Sequence, residues 1–227
     1  MLSRLRAILK DRHYEIFDKP YQLNIIGLRS KSVLPNRFDD EIHVFYKDTH
    51  KQWLYHIYKA TTDPGTFWLN NPSFEQGTAI LAQGQYKDSW AIGKHHGAYD
   101  ALVQVRPITV IRDYDRDTVL DFNNGRIQTG MFGINIHRAE RSGTTKFINK
   151  YSAGCQVFQT AEDFAQFMQL CYRHRDLYGN HFTYTLIDFR AVSRVTVKRF
   201  IEATASVLVI GAAAMLAIKK FIDYEHS

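Results

Sequence analysis

Short strand-like runs dominate the chain up to Thr160, where the hydrophobic pattern changes to that of a helix. The runs are rich in β-branched and aromatic residues, which favour pleated strands, and they are bounded by turn residues. They cover residues 21–30, 42–47, 52–60, 78–81, 89–92 and 101–112, and a last one covers 182–189. Between Thr160 and Gly179, apolar residues recur at helical spacing,. The order predicts a mainly β fold with one packed helix, a β-rich α+β class.

A histidine and a cysteine stand out in the segment from Gly130 to Phe158. His137 ends an apolar, strand-like run, and Cys155 follows 18 residues later (155 − 137) in a loop of small residues. A thiol becomes a strong nucleophile when a neighbouring imidazole removes its proton. The loop residues Ser152 and Gly154 leave backbone N–H groups open to a substrate oxygen, as an oxyanion hole requires,. We therefore predict that Cys155 is a nucleophile, that His137 is its base, and that the N–H groups of Gly154 and Cys155 form the oxyanion hole.

Two motifs in this segment resemble the catalytic segment of the L,D-transpeptidase (YkuD-type) domain family. In that family a strand that ends in Gly-Ile-His is followed, roughly one and a half dozen residues later, by Ser/Thr-His-Gly-Cys. This chain has Gly-Ile-Asn-Ile-His at 133–137 and Ser-Ala-Gly-Cys at 152–155, with alanine where the family usually has histidine. The resemblance covers about residues 40–160. It implies an L,D-transpeptidase-like fold in which the carbonyl of Arg138 orients the histidine, and it implies no cofactor.

The same resemblance implies a cysteine acyl-transfer enzyme that acts on stem peptides of peptidoglycan. Substrate contacts are predicted for four residues: His95, His96, Arg141 and Gln156. Basic residues in the loop between the histidine and the cysteine suit the carboxylates of such peptides. Solvated loop charges and ordinary exposed histidines are the alternatives. The net charge of +6 suits an anionic wall polymer or a membrane surface and does not indicate nucleic acid,.

Four aspartates follow the spacing of a calcium-binding loop. They are Asp113, Asp115, Asp117 and Asp121. The sixth position of the loop is Thr118 instead of glycine and the twelfth is Asn124 instead of glutamate, so the pattern is incomplete,. No other metal-ligand spacing is present, and we predict no metal site beyond this candidate. An acidic turn held by hydrogen bonds and the flanking arginines is the alternative.

The C-terminal segment predicts a second unit, residues 191–227, after a catalytic domain over 1–190. Residues 203–218 carry no charge and are bracketed by Lys198-Arg199 and Lys219-Lys220. Lysine stems that reach the headgroups allow so short a helix to span a bilayer. We predict a hydrophobic helix that anchors the protein to a membrane. A buried helix that mediates homo-oligomer contacts is the alternative.

The start of the chain, residues 1–17, is basic and amphipathic without the continuous apolar core of a signal peptide,. We therefore expect no secretory signal, and this favours a viral (phage) wall-degrading enzyme located in a virion or an infected-cell membrane. Net hydrolysis is favoured over cross-linking for the same reason. A function from another class remains open: a membrane-attached structural or interaction protein that keeps the fold without turnover.

Overall fold

Eleven strands and three helices make up the part of the chain described by the computed structural model, residues 1–123 and 125–190. The helices are α1 (Leu2–Asp11), α2 (Thr66–Asn70) and α3 (Ala161–Tyr178). The strands are β1 (Asn24–Arg29), β2 (Asp40–Lys47), β3 (Trp53–Thr61), β4 (Thr78–Leu81), β5 (Gly84–His95), β6 (Tyr99–Gln104), β7 (Ile108–Asp113), β8 (Arg126–Gly130), β9 (Ile136–Arg138), β10 (Gln156–Phe158) and β11 (Phe182–Asp188). The region from Met1 to Phe189 forms one compact unit. The fold is mainly β, as predicted.

Eight of the strands close into a barrel in the order β1-β11-β5-β6-β9-β10-β3-β2, and β4-β7-β8 form a separate three-stranded sheet. Most neighbouring strands are antiparallel, but β1 pairs with β11 in parallel and β9 pairs with β10 in parallel. Aromatic and branched side chains fill the core, with Trp90 and Tyr184 fully buried. Helix α3 adds Phe164 and Phe167 to the same core. Closure leaves no free barrel edge, which stabilises strands as short as β9 and β10.

Helix α3 begins and ends where its sequence predicts. The Thr160 hydroxyl accepts a hydrogen bond from the backbone N–H of Asp163 at 3.1 Å, which satisfies one of the free donors at the helix start,. Gly179 ends the helix with φ of +95°, a backbone conformation that residues other than glycine rarely adopt,. Cys171 is fully buried on the inner face of this helix. It is therefore a packing residue in this fold.

Three strand predictions differ from the structure. The predicted run over 101–112 is two strands, β6 and β7, because Pro107 lies between them and cannot donate a ladder hydrogen bond,. The run that ends at His137 is strand only over its last residues, since Met131–Asn135 is irregular. Strands β8 and β10 are too short or too polar to show a period of two in the sequence.

The predicted hydrophobic helix over 203–218 and its membrane role lie outside the described residues. Among the residues that the structure describes, no helix is long and apolar enough to cross a membrane.

Candidate functional site

The parallel pairing of β9 and β10 brings His137 and Cys155 to one side of the barrel wall. Gln156 pairs with Ile136, and Val157 pairs with His137. Cys155 therefore lies beside Asn135, two residues before the histidine. The backbone N–H of Asn135 points to the Cys155 sulfur, with 3.4 Å between N and Sγ. Because side chains alternate along a strand, His137 and Val157 lie on the face opposite Ile136, and Cys155 directly precedes this part of β10,.

The opposite face of the same strands points into the barrel. Ile136 and Phe158 are fully buried in the main core. Val157, in register with the histidine, packs in a separate small cluster with Phe38 and Ile148, and the half-buried Cys155 lies against it. The candidate pair thus occupies the outer face of the barrel.

A backbone carbonyl fixes the imidazole of His137. Its Nδ1 lies 2.8 Å from the carbonyl oxygen of Arg138, the contact that the resemblance implies for this position. Because a carbonyl only accepts, Nδ1 carries the proton and Nε2 holds the free lone pair. Nε2 is buried and has no hydrogen-bond partner among the residues described. The ring is therefore prepared to accept a proton at Nε2.

Burial makes this histidine neutral. The side chain is 3% exposed. Loss of hydration, reinforced by the neighbouring His95, lowers the pKa of His137 to about 3, and the bond to the Arg138 carbonyl opposes this only in part,. The imidazole is consequently uncharged at neutral pH.

Tyr99 is a contact of the site that the sequence did not reveal. Its hydroxyl lies 3.2 Å from the carbonyl oxygen of Arg138 and 3.4 Å from Nδ1 of His137. The guanidinium of Arg138 covers the tyrosine ring at 4.3 Å from its centroid. The tyrosine thus fixes the same carbonyl that orients the histidine.

The imidazole ring of His95 stacks on that of His137. The centroids of His95 and His137 are 4.0 Å apart and their planes differ by 19°. The side-chain amide of Asn135 lies 3.0 Å from Nδ1 of His95, and burial lowers the pKa of His95 to about 4. The structure therefore brings His95 into the site as a packing partner of the imidazole. His96 is exposed, with its ring 4.2 Å from that of His95.

The thiol of Cys155 is protonated in the resting site. Removal of the sulfur from water raises the pKa of Cys155 to about 11, against the opposing effect of the Asn135 N–H,. No hydrogen bond joins the sulfur to Nε2 of His137, which has no partner in the described residues. The thiol and the imidazole are both neutral here. This differs from the lowered thiol pKa that a histidine–cysteine pair suggests.

The loop before the cysteine is held by its own hydrogen bonds. The Ser152 hydroxyl donates to the carbonyl oxygen of Cys155 at 2.8 Å and accepts from the N–H of Gly154 at 3.1 Å. The N–H of Gly154 is therefore occupied, which corrects its predicted oxyanion role. Ser152 is fully buried and braces the loop. Across the described residues, the N–H of Cys155 makes no hydrogen bond, so it is the available donor.

One predicted substrate contact, Gln156, is located elsewhere, and that of Arg141 stays a prediction. Gln156 is fully buried inside the barrel, where its side-chain oxygen accepts a hydrogen bond from the Tyr184 hydroxyl at 2.8 Å. It cannot reach a ligand on the outer face, because a strand reverses side-chain direction at each residue. Arg141 is exposed in the loop after β9, where its carbonyl accepts a hydrogen bond from Arg138.

Among the described residues, the four aspartates are not gathered into a metal site. Within residues 1–123 and 125–190, no group of three or more histidine, cysteine, aspartate or glutamate side chains is placed to hold a metal ion. Three of the carboxylates accept hydrogen bonds from backbone N–H groups of this turn. Asp113 accepts from Asp121, Asp115 from Asp117, and Asp117 from Val119. The pattern is therefore an acidic turn. Its twelfth position, Asn124, lies outside the described residues.

Gln104 and Trp90 fix the irregular segment that leads into β9. The side-chain oxygen of Gln104 accepts hydrogen bonds from the N–H groups of Phe132 and Ile134, at 3.0 and 3.1 Å. The indole N–H of Trp90 donates to the carbonyl of Ile134 at 2.8 Å. These bonds replace the missing strand ladder in this segment. They also position Gly133, whose carbonyl lies 3.6 Å from the Cys155 sulfur.

A cleft of roughly 370 Å³ lies beside the nucleophile loop. Its lining includes Trp68, Phe74, Met131, Phe132 and Ala153, the last of these two residues before Cys155 in the chain. Arg112 is the charged side chain of this lining. The size and apolar walls are typical of a small-ligand site with few polar groups.

Comparisons of the chain with protein-family models, with curated proteins and with solved structures find no match. The function is therefore argued from the site.

Proposed function

We propose that the chain is a cysteine acyl-transfer enzyme, with Cys155 as nucleophile and His137 as general base. One observation carries the proposal. Nε2 of His137 is buried, deprotonated and without a hydrogen-bond partner among the described residues, on a strand that pairs with the strand directly after Cys155, while Nδ1 is fixed by a backbone carbonyl. A buried acceptor without a partner is costly to a fold, so its retention favours a functional role.

The proposed chemistry couples proton transfer to attack, because both groups are neutral at rest. As the sulfur forms a bond to a peptide carbonyl carbon, its proton passes to Nε2 of His137. The N–H of Cys155 donates to the developing oxyanion. The C–N bond then breaks, and the imidazolium returns its proton to the leaving amine. Water or a second amine then attacks the thioester carbonyl while His137 takes its proton, the C–S bond breaks, and the imidazolium returns the proton to the Cys155 sulfur.

Substrate binding has to bring the sulfur and Nε2 within hydrogen-bond distance. Catalytic hydrogen bonds are often long before substrate binds, so the resting separation does not argue against the pair. The L,D-transpeptidase-like class and peptidoglycan stem peptides follow from the sequence resemblance. Net hydrolysis, as in a wall-degrading enzyme, is the favoured outcome.

Incubation of full-length protein with purified sacculi, followed by mass spectrometry of the released peptides, tests the proposal. Cys155→Ala should lose all activity, and the matched control Cys171→Ala should keep it, because Cys171 is buried in α3. A free carboxyl product indicates hydrolysis, and a new amide indicates transpeptidation. Equal product from Cys155→Ala and the parent would refute the proposal.

The alternative is a membrane-attached structural or interaction protein without turnover. The neutral resting thiol is the observation in its favour, since a pKa of about 11 gives little nucleophile by itself,. A folded parent protein that releases no product from sacculi, and in which Cys155 never forms a thioester, would select this alternative.

A further inference from the structure

Arg112 is a buried cation beside the proposed nucleophile. It lies on β7, is 6% exposed and lines the cleft that ends at Ala153. Its guanidinium carbon lies 5.0 Å from the ring centroid of Phe132 and 5.6 Å from that of Phe74. The charge is therefore held between two aromatic side chains in a poorly hydrated position.

Among the described residues, no carboxylate neutralises the charge of Arg112. Nε donates to the side-chain oxygen of Gln128 at 2.8 Å, and Nη1 donates to the carbonyl of Gly77 at 3.1 Å. Both acceptors are neutral. Across residues 1–123 and 125–190, no carboxylate lies within ion-pair distance of this guanidinium, and Nη2 makes no hydrogen bond.

Arg29 shows how the same fold buries an arginine for structural reasons. Arg29 is 1% exposed, and its Nε lies 2.7 Å from a carboxylate oxygen of Asp63. Its other nitrogens donate to the carbonyls of Thr62 and Leu81. A buried charge normally needs such a partner, because desolvation is costly. Arg112 lacks one and faces a cleft, which indicates that its counter-charge comes from a ligand.

We propose that Arg112 binds a carboxylate of the peptide whose carbonyl Cys155 attacks, and so selects substrates that carry this group. The proposal rests on the proposed function. Arginine matches a carboxylate through charge-assisted, often bidentate, hydrogen bonds. The apolar walls formed by Trp68, Met131 and Phe132 suit an amino-acid residue. A phosphate would need further cationic or N–H donors, which this lining does not gather,.

The test measures binding separately from turnover. Full-length Cys155→Ala protein is titrated with N-acetyl-alanine, with its amide and with inorganic phosphate. Binding is followed by the NMR signal of the Trp68 indole N–H, which donates to the carbonyl of Lys150 and lies at the cleft. The carboxylate should bind about tenfold to a hundredfold more tightly than the amide, as hydrogen bonds to charged groups predict. Arg112→Gln should reduce this preference to about one.

Arg106→Gln is the matched control, since it removes an exposed arginine that does not line the cleft and should leave the preference unchanged. If Arg112→Gln does not fold, Arg112→Lys keeps the charge, and part of the preference should remain. The inference is overturned if the amide binds the parent as tightly as the carboxylate, if Arg112→Gln keeps the preference, or if phosphate competes equally.

The two proposals fail separately in this design. If the protein prefers the carboxylate but never processes sacculi, the Arg112 subsite is supported and the enzymatic function is refuted. Turnover of sacculi without any carboxylate preference would do the reverse.

Discussion

The pH dependence of Cys155 alkylation follows directly from the neutral resting pair. With a thiol pKa of about 11, the thiolate fraction at pH 7 is about 10⁻⁴, compared with ~3% for an ordinary cysteine with a pKa of about 8.5. Iodoacetamide reacts with the thiolate, so Cys155 should react roughly 300-fold more slowly than a free cysteine at pH 7. The logarithm of the rate should rise by about one per pH unit up to pH 9.5.

The measurement uses mass spectrometry of the Cys171→Ala protein, in which Cys155 is the one remaining thiol. Because neutral His137 does not stabilise a resting thiolate, His137→Gln should change the profile by less than about twofold. The same substitution should abolish processing of sacculi. A profile that levels off below pH 8 in the parent and shifts upward in His137→Gln would refute the reasoning, because it would reveal a resting thiolate–imidazolium pair.

Three further results are expected. Cys171→Ala should lower the free energy of unfolding by about 1 kcal/mol through lost packing, measured by urea unfolding, while activity stays near that of the parent. Gly154→Ala should cost ~1–3 kcal/mol and impair activity, because φ is +119° and the new Cβ would overlap a neighbouring backbone carbonyl,; unchanged activity would contradict a rigid nucleophile loop. Acid should lower the free energy of unfolding between pH 6.5 and 4, because histidines that stay neutral in the folded protein take up protons when it unfolds. Each such histidine should lower the free energy of unfolding by about 2 kcal/mol at pH 5. The histidines concerned are His95, His137 and His174. A free energy of unfolding that is the same at pH 7 and pH 5 would exclude this.

The sequence predicts the class of fold because strands and helices leave different periods. Helix α3 carries its own cap and stop signals, so both its ends are predictable,. Closure of the barrel is not predictable in this way, since it depends on which strands pair over long separations. The parallel contact of β9 with β10 is one such pairing, between segments of three residues each.

The sequence also reveals some residues of the candidate site and not others. His137 and Cys155 are recognisable from chemistry and spacing, and Asn135 could have been found because it lies two residues before the histidine on the same face. Tyr99 contacts the site through a different strand, β6, so no local pattern points to it. Arg112 does leave a signal. It follows Ile108 and Val110 at intervals of two and so occupies a core-facing position on β7, where a charged residue is unusual,.

The loop that joins β9 to β10 does not set the relative positions of His137 and Cys155. The relative placement of His137 and Cys155 is set by strand register, while residues 140–144 between them are exposed. Insertions in exposed loops cost little free energy. This crossover is therefore a place where the chain can change in length and sequence while strand register keeps His137 and Cys155 in place.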